Sequence, residues 1–305
     1  MLDVCLLGNG GVMPLPDRPL SALLVRIGGD TMLFDCGEGT QVNWRTTGWS
    51  MHDCSTIFLT HLHADHVVGL PGLLYALANA GRTKAVTVYA PQGSVERLQA
   101  FLSIVGRLPF ELFLRECSPN EQIQLSDDLT LTTCAAVHHV PCLAYRLDIA
   151  RHPRFDAVRA RALGVPQEAW SVLQRGDAAA GFTPDQVRGP ARRGLRLTYI
   201  TDSSTTAELT AFAHDSDLLV CEAMYASDVD TGKAQQRGHM TARQAATLAR
   251  DANARRLWLT HVSPSVEDPQ DVVRMARTIY PEAIGGTRGL RALLHFTDDD
   301  PTLPA

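Results

Sequence analysis

Short apolar runs recur along the chain, and small or turn-forming residues close each of them. Residues 2–7 read as a first strand, ending in Gly8-Asn9-Gly10-Gly11. Residues 21–27 and 31–35 flank Gly28-Gly29-Asp30, a hairpin signal. Residues 55–60, 85–90, 129–137, 143–149, 195–201, 217–221 and 255–260 read as further strands. Helices are expected near 70–80, 93–105, 155–163, 166–175, 241–253 and 269–279. The fifth of these opens with a capping box, Thr241-Ala242-Arg243-Gln244. Strands interleaved with helices predict an α/β fold, in which strand ends along one edge gather into a common crevice.

Composition bounds the chemistry. The chain has 305 residues, 45% apolar and 20% charged, enough for a large core. No apolar run approaches the roughly 18 residues of a membrane span. The start, Met1-Leu2-Asp3-Val4, has no basic segment and leads straight into a strand, so no signal peptide and a cytoplasmic location are expected. Seven cysteines, with no CxxC pair, are expected to be reduced and buried. The net charge of −5 by itself argues against nucleic acid. Its distribution changes that picture. Residues 151–196 hold nine arginines and four acids, +5 in all, which leaves −10 for the rest.

The chemistry concentrates in His61-Leu62-His63-Ala64-Asp65-His66, directly after a strand. Extended backbone alternates its side chains, so His61 and His63 point one way, and the turn after Ala64 brings Asp65 and His66 back. Imidazole with carboxylate suits a zinc-type ion, and manganese and iron also accept mixed N/O donors. His138 or His139, Asp202 and His261 each follow the end of another predicted strand. The count suits two ions. His61, His63 and one of His138/His139 hold the first. Asp65, His66 and His261 hold the second, and Asp202 bridges them. Two such ions form a clamp for phosphoester cleavage, with Asp65 placed to orient or deprotonate water.

These residues resemble the ligand set of the metallo-β-lactamase fold. That resemblance implies a four-layer αβ/βα sandwich of two mixed sheets with two zinc ions at one edge. It spans nearly the whole chain, which implies a single domain over 1–297, while the composition of Asp298-Asp299-Asp300-Pro301 to Ala305 itself predicts a disordered tail at 298–305. Within that superfamily the chain is similar to the ribonuclease Z family, endonucleases that remove the 3′ trailer of tRNA precursors. Phe34-Asp35-Cys36-Gly37-Glu38-Gly39-Thr40-Gln41, Leu70-Pro71-Gly72-Leu73, Cys221-Glu222-Ala223-Met224-Tyr225 and Gly238-His239-Met240-Thr241-Ala242 carry the likeness. It implies that His239 protonates the leaving oxygen with Glu222 supporting it. His239 also precedes a predicted helix start, a favourable place to meet phosphate. Family register places His138, not His139, among the ligands. The opening loop departs from the family pattern but keeps Arg18. The Arg-rich segment at about 151–194 lies where the family inserts its tRNA-binding arm, so Arg18, Arg192 and Arg193 are expected to contact substrate. A tRNA precursor as partner, no membrane and a homodimer complete the expectation. The alternative is a hydrolase of the same fold acting on a small phosphodiester, lactone or other ester.

Overall fold

The apolar runs become strands because both of their faces are buried. In β1 (Leu2–Gly8), Val4 and Leu6 point into a core between two sheets, while Cys5 and Leu7 point into a second core under helices. The protein, seen in a computed structural model, is described over residues 1–296. Residue 297 and the tail expected at 298–305 lie outside the described residues.

One sheet contains β1, β2 (Ala22–Ile27), β3 (Asp30–Phe34), β4 (Cys54–Phe58), β5 (Val86–Pro91) and β6 (Leu112–Cys117). The other contains β7 (Gln122–Ser126), β8 (Leu129–Ala136), β9 (Cys142–Ile149), β10 (Leu195–Ile200), β11 (Leu218–Glu222), β12 (Leu257–Thr260) and β13 (Ile284–Gly285). A last strand, β14 (Leu290–Leu294), returns to pair with β1, giving orders β14-β1-β2-β3-β4-β5-β6 and β13-β12-β11-β10-β9-β8-β7. Both sheets mix parallel and antiparallel pairs.

Helices α1 (Thr40–Arg45), α3 (Leu70–Asn79) and α4 (Val95–Leu102) cover the outside of the first sheet, with the single-turn α2 (Ala64–Val67) at its edge. Between β9 and β10 lie α5 (Ala157–Ala162) and α6 (Trp170–Arg175). Helices α7 (Ala207–Phe212), α9 (Ala242–Asp251) and α10 (Pro269–Arg277) cover the second sheet, and α8 (Thr231–Gln236) sits beside the site. The layers therefore run helix, sheet, sheet, helix, as expected.

Strands β6, β7, β13 and β14 and helices α1, α7 and α8 were not predicted. These strands are short or lie at sheet edges, where half-exposed positions dilute the apolar signal, as in Leu112-Phe113-Leu114-Arg115-Glu116. The helix expected at 93–105 ends at Leu102 and tightens into a 3₁₀ turn over Ser103–Val105.

The Arg-rich segment joins β9 and β10, which are antiparallel neighbours. It is not a plain loop. Ala160, Val165, Leu173 and Val187 bury themselves together, with Phe155, Trp170 and Phe182 packed against them.

Two features position the site. Strand β8 runs in the same direction as β10 because both are antiparallel to β9, so the carboxyl ends of β8, β10, β11 and β12 share one edge. The two sheets are also stitched there. Tyr145 donates its hydroxyl to Leu59 O at 2.6 Å, and Leu143 N–H donates to Thr60 O at 2.9 Å. Val262 N–H donates to Asn9 O at 2.8 Å, and Gly11 N–H donates to Val262 O at 3.1 Å.

Candidate metal centre

At the end of β4 the chain stays extended through Thr60 and His61. His63 then takes the N-cap position of α2, and that one turn swings Asp65 and His66 round to face the same space. His138, Asp202 and His261 arrive from the ends of β8, β10 and β12.

Two donor sets result. His61 Nε2 lies 2.9 Å from His63 Nδ1, and His138 Nε2 lies 3.2 Å from the same atom. In the second set His66 Nε2 and His261 Nε2 are 3.1 Å apart, with Asp65 Oδ2 3.6 Å from the first and 3.3 Å from the second. Asp202 stands between them. Its Oδ1 is 3.1 Å from both His66 Nε2 and His261 Nε2, and its Oδ2 is 3.8 Å from both His61 Nε2 and His138 Nε2.

The outer nitrogens decide what the inner ones can do. His138 Nδ1 donates to Gly238 O at 3.0 Å, which leaves an Nε2 lone pair facing inward. Thr60 gives its one hydroxyl proton to Asp35, so it accepts from His61 Nδ1 at 3.1 Å and fixes that tautomer too. His66 Nδ1 is anchored on Asp35 Oδ2 at 2.8 Å. The lone pairs of His61 Nε2 and His138 Nε2 thus both face His63 Nδ1, which has at most one proton for the two of them, and Asp202 Oδ1 is buried without a hydrogen bond. This donor set fits divalent cations of N/O preference.

Electrostatics points the same way. Burial, chiefly, lowers His61, His63 and His138, keeping them in the neutral form that binds metal. Burial also works against charge on His66, but Asp202 and Asp35 outweigh it, marking a place that favours positive charge. Burial alone would raise Asp65 and Asp202. The surrounding histidines outweigh it and hold both below the usual carboxylate range.

His239 and Glu222 meet beside this cluster. His239 Nδ1 is 3.1 Å from Glu222 Oε1. The carboxylate is locked by Ser203 N–H at 2.7 Å and Met240 N–H at 3.1 Å. Burial disfavours charge on His239, yet Glu222 prevails and raises it above its ordinary value.

Other expected site residues stand outside the donor sets. His139 is exposed and belongs to neither donor set. Arg18, expected to meet substrate, is buried instead, and its Nη1 donates to Ser263 O at 3.1 Å and Val266 O at 2.9 Å. It braces the loop that follows His261. Arg193 is tied to Asp217 Oδ1 at 2.6 Å and Asp215 O at 2.7 Å, and Arg192 beside it is half-buried. None of these three arginines lines the metal cleft.

The structure adds residues that sequence reasoning missed. Asp35 is one, although it follows β3 just as the candidate donors follow their own strands. Gly11 is another. A Cβ there would lie 2.6 Å from His261 Cε1, so the glycine turn after β1 is a wall against that imidazole. Val12 N–H donates to Asp65 Oδ2 at 2.7 Å.

A model of the beta-lactamase superfamily domain matches residues 30–262. The chain is 42% identical over 304 residues to ribonuclease Z of Lachnospira eligens, covering 98% of this chain and 100% of that one. It is 41% identical over 291 residues to ribonuclease Z of Clostridium kluyveri, covering 94% and 96%. The chain belongs to the ribonuclease Z family. It is therefore an enzyme, a metal-dependent hydrolase. Among solved structures, human tRNase Z, short form, shares the fold with a TM-score of 0.69 at 23% identity, covering 95% of this chain and 98% of that one. The metallo-beta-lactamase fold protein YhfI of Bacillus subtilis does so with a TM-score of 0.70 at 19% identity, with coverage of 95% and 98%. Among the described residues, no helix is long and apolar enough to cross a membrane.

Proposed function

We propose that the protein is a dinuclear-zinc endoribonuclease that removes the 3′ trailer of tRNA precursors. One observation carries the two-metal part of this reading. Asp202 turns one oxygen to each donor set, the arrangement of a bridging carboxylate. His61, His63 and His138 would hold one ion, and Asp65, His66 and His261 the other. Held there, divalent ions supply Lewis acidity toward the phosphodiester and toward an attacking water.

The protein's own groups handle orientation and protons. Asp65, pinned by Val12 N–H, is fixed on the rim of the cleft and takes the proton of the attacking water. His239 gives its Nδ1 side to Glu222, which leaves Nε2 to protonate the leaving oxygen. Glu222 is a positioning residue, because its backbone partners prevent it from turning away. The arm at 151–194 supplies positive charge toward an RNA backbone, a binding term that weakens steeply with salt. In this reading the enzyme is a cytoplasmic homodimer in which the arm of one subunit reaches the site of the other.

Cleavage of a 3′-extended tRNA precursor, with the cut position mapped, tests the proposal. A single cut at the start of the trailer supports it. Strong activity on small esters with no cut in any precursor would establish the alternative, a small-substrate hydrolase.

A further inference from the structure

Three consecutive residues shape one rim of the metal cleft. Helix α8 closes on Arg237, whose N–H donates to Lys233 O at 3.0 Å and Ala234 O at 3.1 Å. Gly238 follows at φ +65°, and a Cβ there would lie 2.9 Å from His138 Nδ1. Only glycine suits both the turn and the neighbour. The turn drops the chain from the exposed Arg237 to the buried His239.

Arg237 thus stands at the mouth of a cleft of about 380 Å³ that His63, Asp65, His138, Asp202 and His239 also line. It is the one arginine or lysine among the described residues lining that cleft. Its guanidinium sits beside the Tyr225 hydroxyl. Lys233 Nζ lies 4.6 Å from the centre of the same ring. One buried tyrosine therefore contacts two cations, Arg237 lining the cleft and Lys233 outside that lining, where its Nζ also lies 4.0 Å from Asp230 Oδ1. A guanidinium already braced by a neighbour loses less freedom on binding, and its fork matches phosphate oxygens in pairs. A substrate with a single phosphate at the metals would not need this pair. A polyanionic strand would.

We propose that Arg237 grips the phosphate next to the scissile one on an RNA strand, and that Lys233 continues the path outward. The proposal rests on the ribonuclease reading above. Arg237 belongs to neither donor set, so its loss should leave metal binding and the chemical step intact.

The test compares wild type, Arg237→Ala and Arg237→Lys on a 3′-extended tRNA precursor and on bis(p-nitrophenyl) phosphate, with metal content measured for each. Arg237→Ala should raise KM for the precursor about 10–100-fold, the worth of one charge-assisted contact. It should leave kcat, metal content and diester cleavage near wild type, and lower the salt slope of binding by about one. Arg237→Lys should recover part of the KM. An unchanged precursor KM, an equal loss on both substrates, or a loss of metal overturns the proposal. Wild type that cuts no precursor removes the ribonuclease reading and this proposal together. Wild type that cuts, beside an Arg237→Ala variant that cuts equally well, removes this proposal alone.

Discussion

His66 Nδ1 lies 2.8 Å from Asp35 Oδ2, beneath the second donor set. Asp35 is fully buried at φ +56° and also accepts from Thr60 N–H at 2.8 Å and from the Tyr199 hydroxyl at 3.1 Å. Through Thr60 it reaches His61 as well, so one carboxylate orients an imidazole in each donor set. Asp35→Asn should weaken metal binding about 10–100-fold. A chelator competition titration reads this directly, and an unchanged affinity would exclude the anchoring role.

His239 should matter in proportion to how poor the leaving group is. Alkoxide departure from RNA needs a proton, whereas p-nitrophenolate leaves without one. His239→Ala should therefore lose about 10²–10⁴-fold in kcat on a precursor and far less on bis(p-nitrophenyl) phosphate. Equal losses on the two substrates would argue against a proton donor.

Gly11 tests how tightly the His261 ring is confined. His261 Nδ1 is buried with no partner, and the ring is held against the Gly11 backbone. Gly11→Ala should push the imidazole out of line, lowering metal content and activity while the far-UV circular dichroism spectrum stays that of wild type. Full metal loading in the variant would show that the ring has room to shift.

The arm can be probed without disturbing the fold. Arg193 is a poor choice, since its ion pair with Asp217 is structural. Arg159 and Arg175 are exposed on α5 and α6. Replacing both with glutamine should weaken precursor binding, reduce its salt slope by about two, and spare small diesters. Loss on both kinds of substrate would place the damage in the catalytic centre instead.

All seven cysteines are free and buried. Burial pushes the Cys54 and Cys117 thiols up to about 12, so thiolate is scarce at neutral pH. Iodoacetamide should label the native protein slowly and the urea-unfolded protein fully. Rapid stoichiometric labelling of the native protein would contradict this.

The central cluster was legible because its geometry is local. His61, His63, Asp65 and His66 lie within six positions after an apolar strand, and one turn of helix brings them together. Asp202 and His261 were legible for a related reason, since in layered folds strand ends share an edge. The longer helices and the strands with two buried faces showed clearly, while the six-residue α1, α7 and α8 did not, nor did edge strands such as β6 and β7, because half their positions face water.

What lay beyond the sequence depends on contacts between distant segments. His66 meets His261 across 195 residues, and Asp35 reaches His66 across 31. Residue type alone set no difference between His138 and His139. The Gly238 carbonyl, 100 residues away, holds His138, while its neighbour faces solvent. Arg18 and Arg237 are equally basic on paper. Packing buries the first against the loop after His261 and leaves the second at the mouth of the cleft. Sequence by itself determined which chemistry this chain carries, because ligand type and strand-end position are local properties. Tertiary structure decided which copies of each residue come together, because burial and hydrogen-bond partners exist only once the two sheets close on each other.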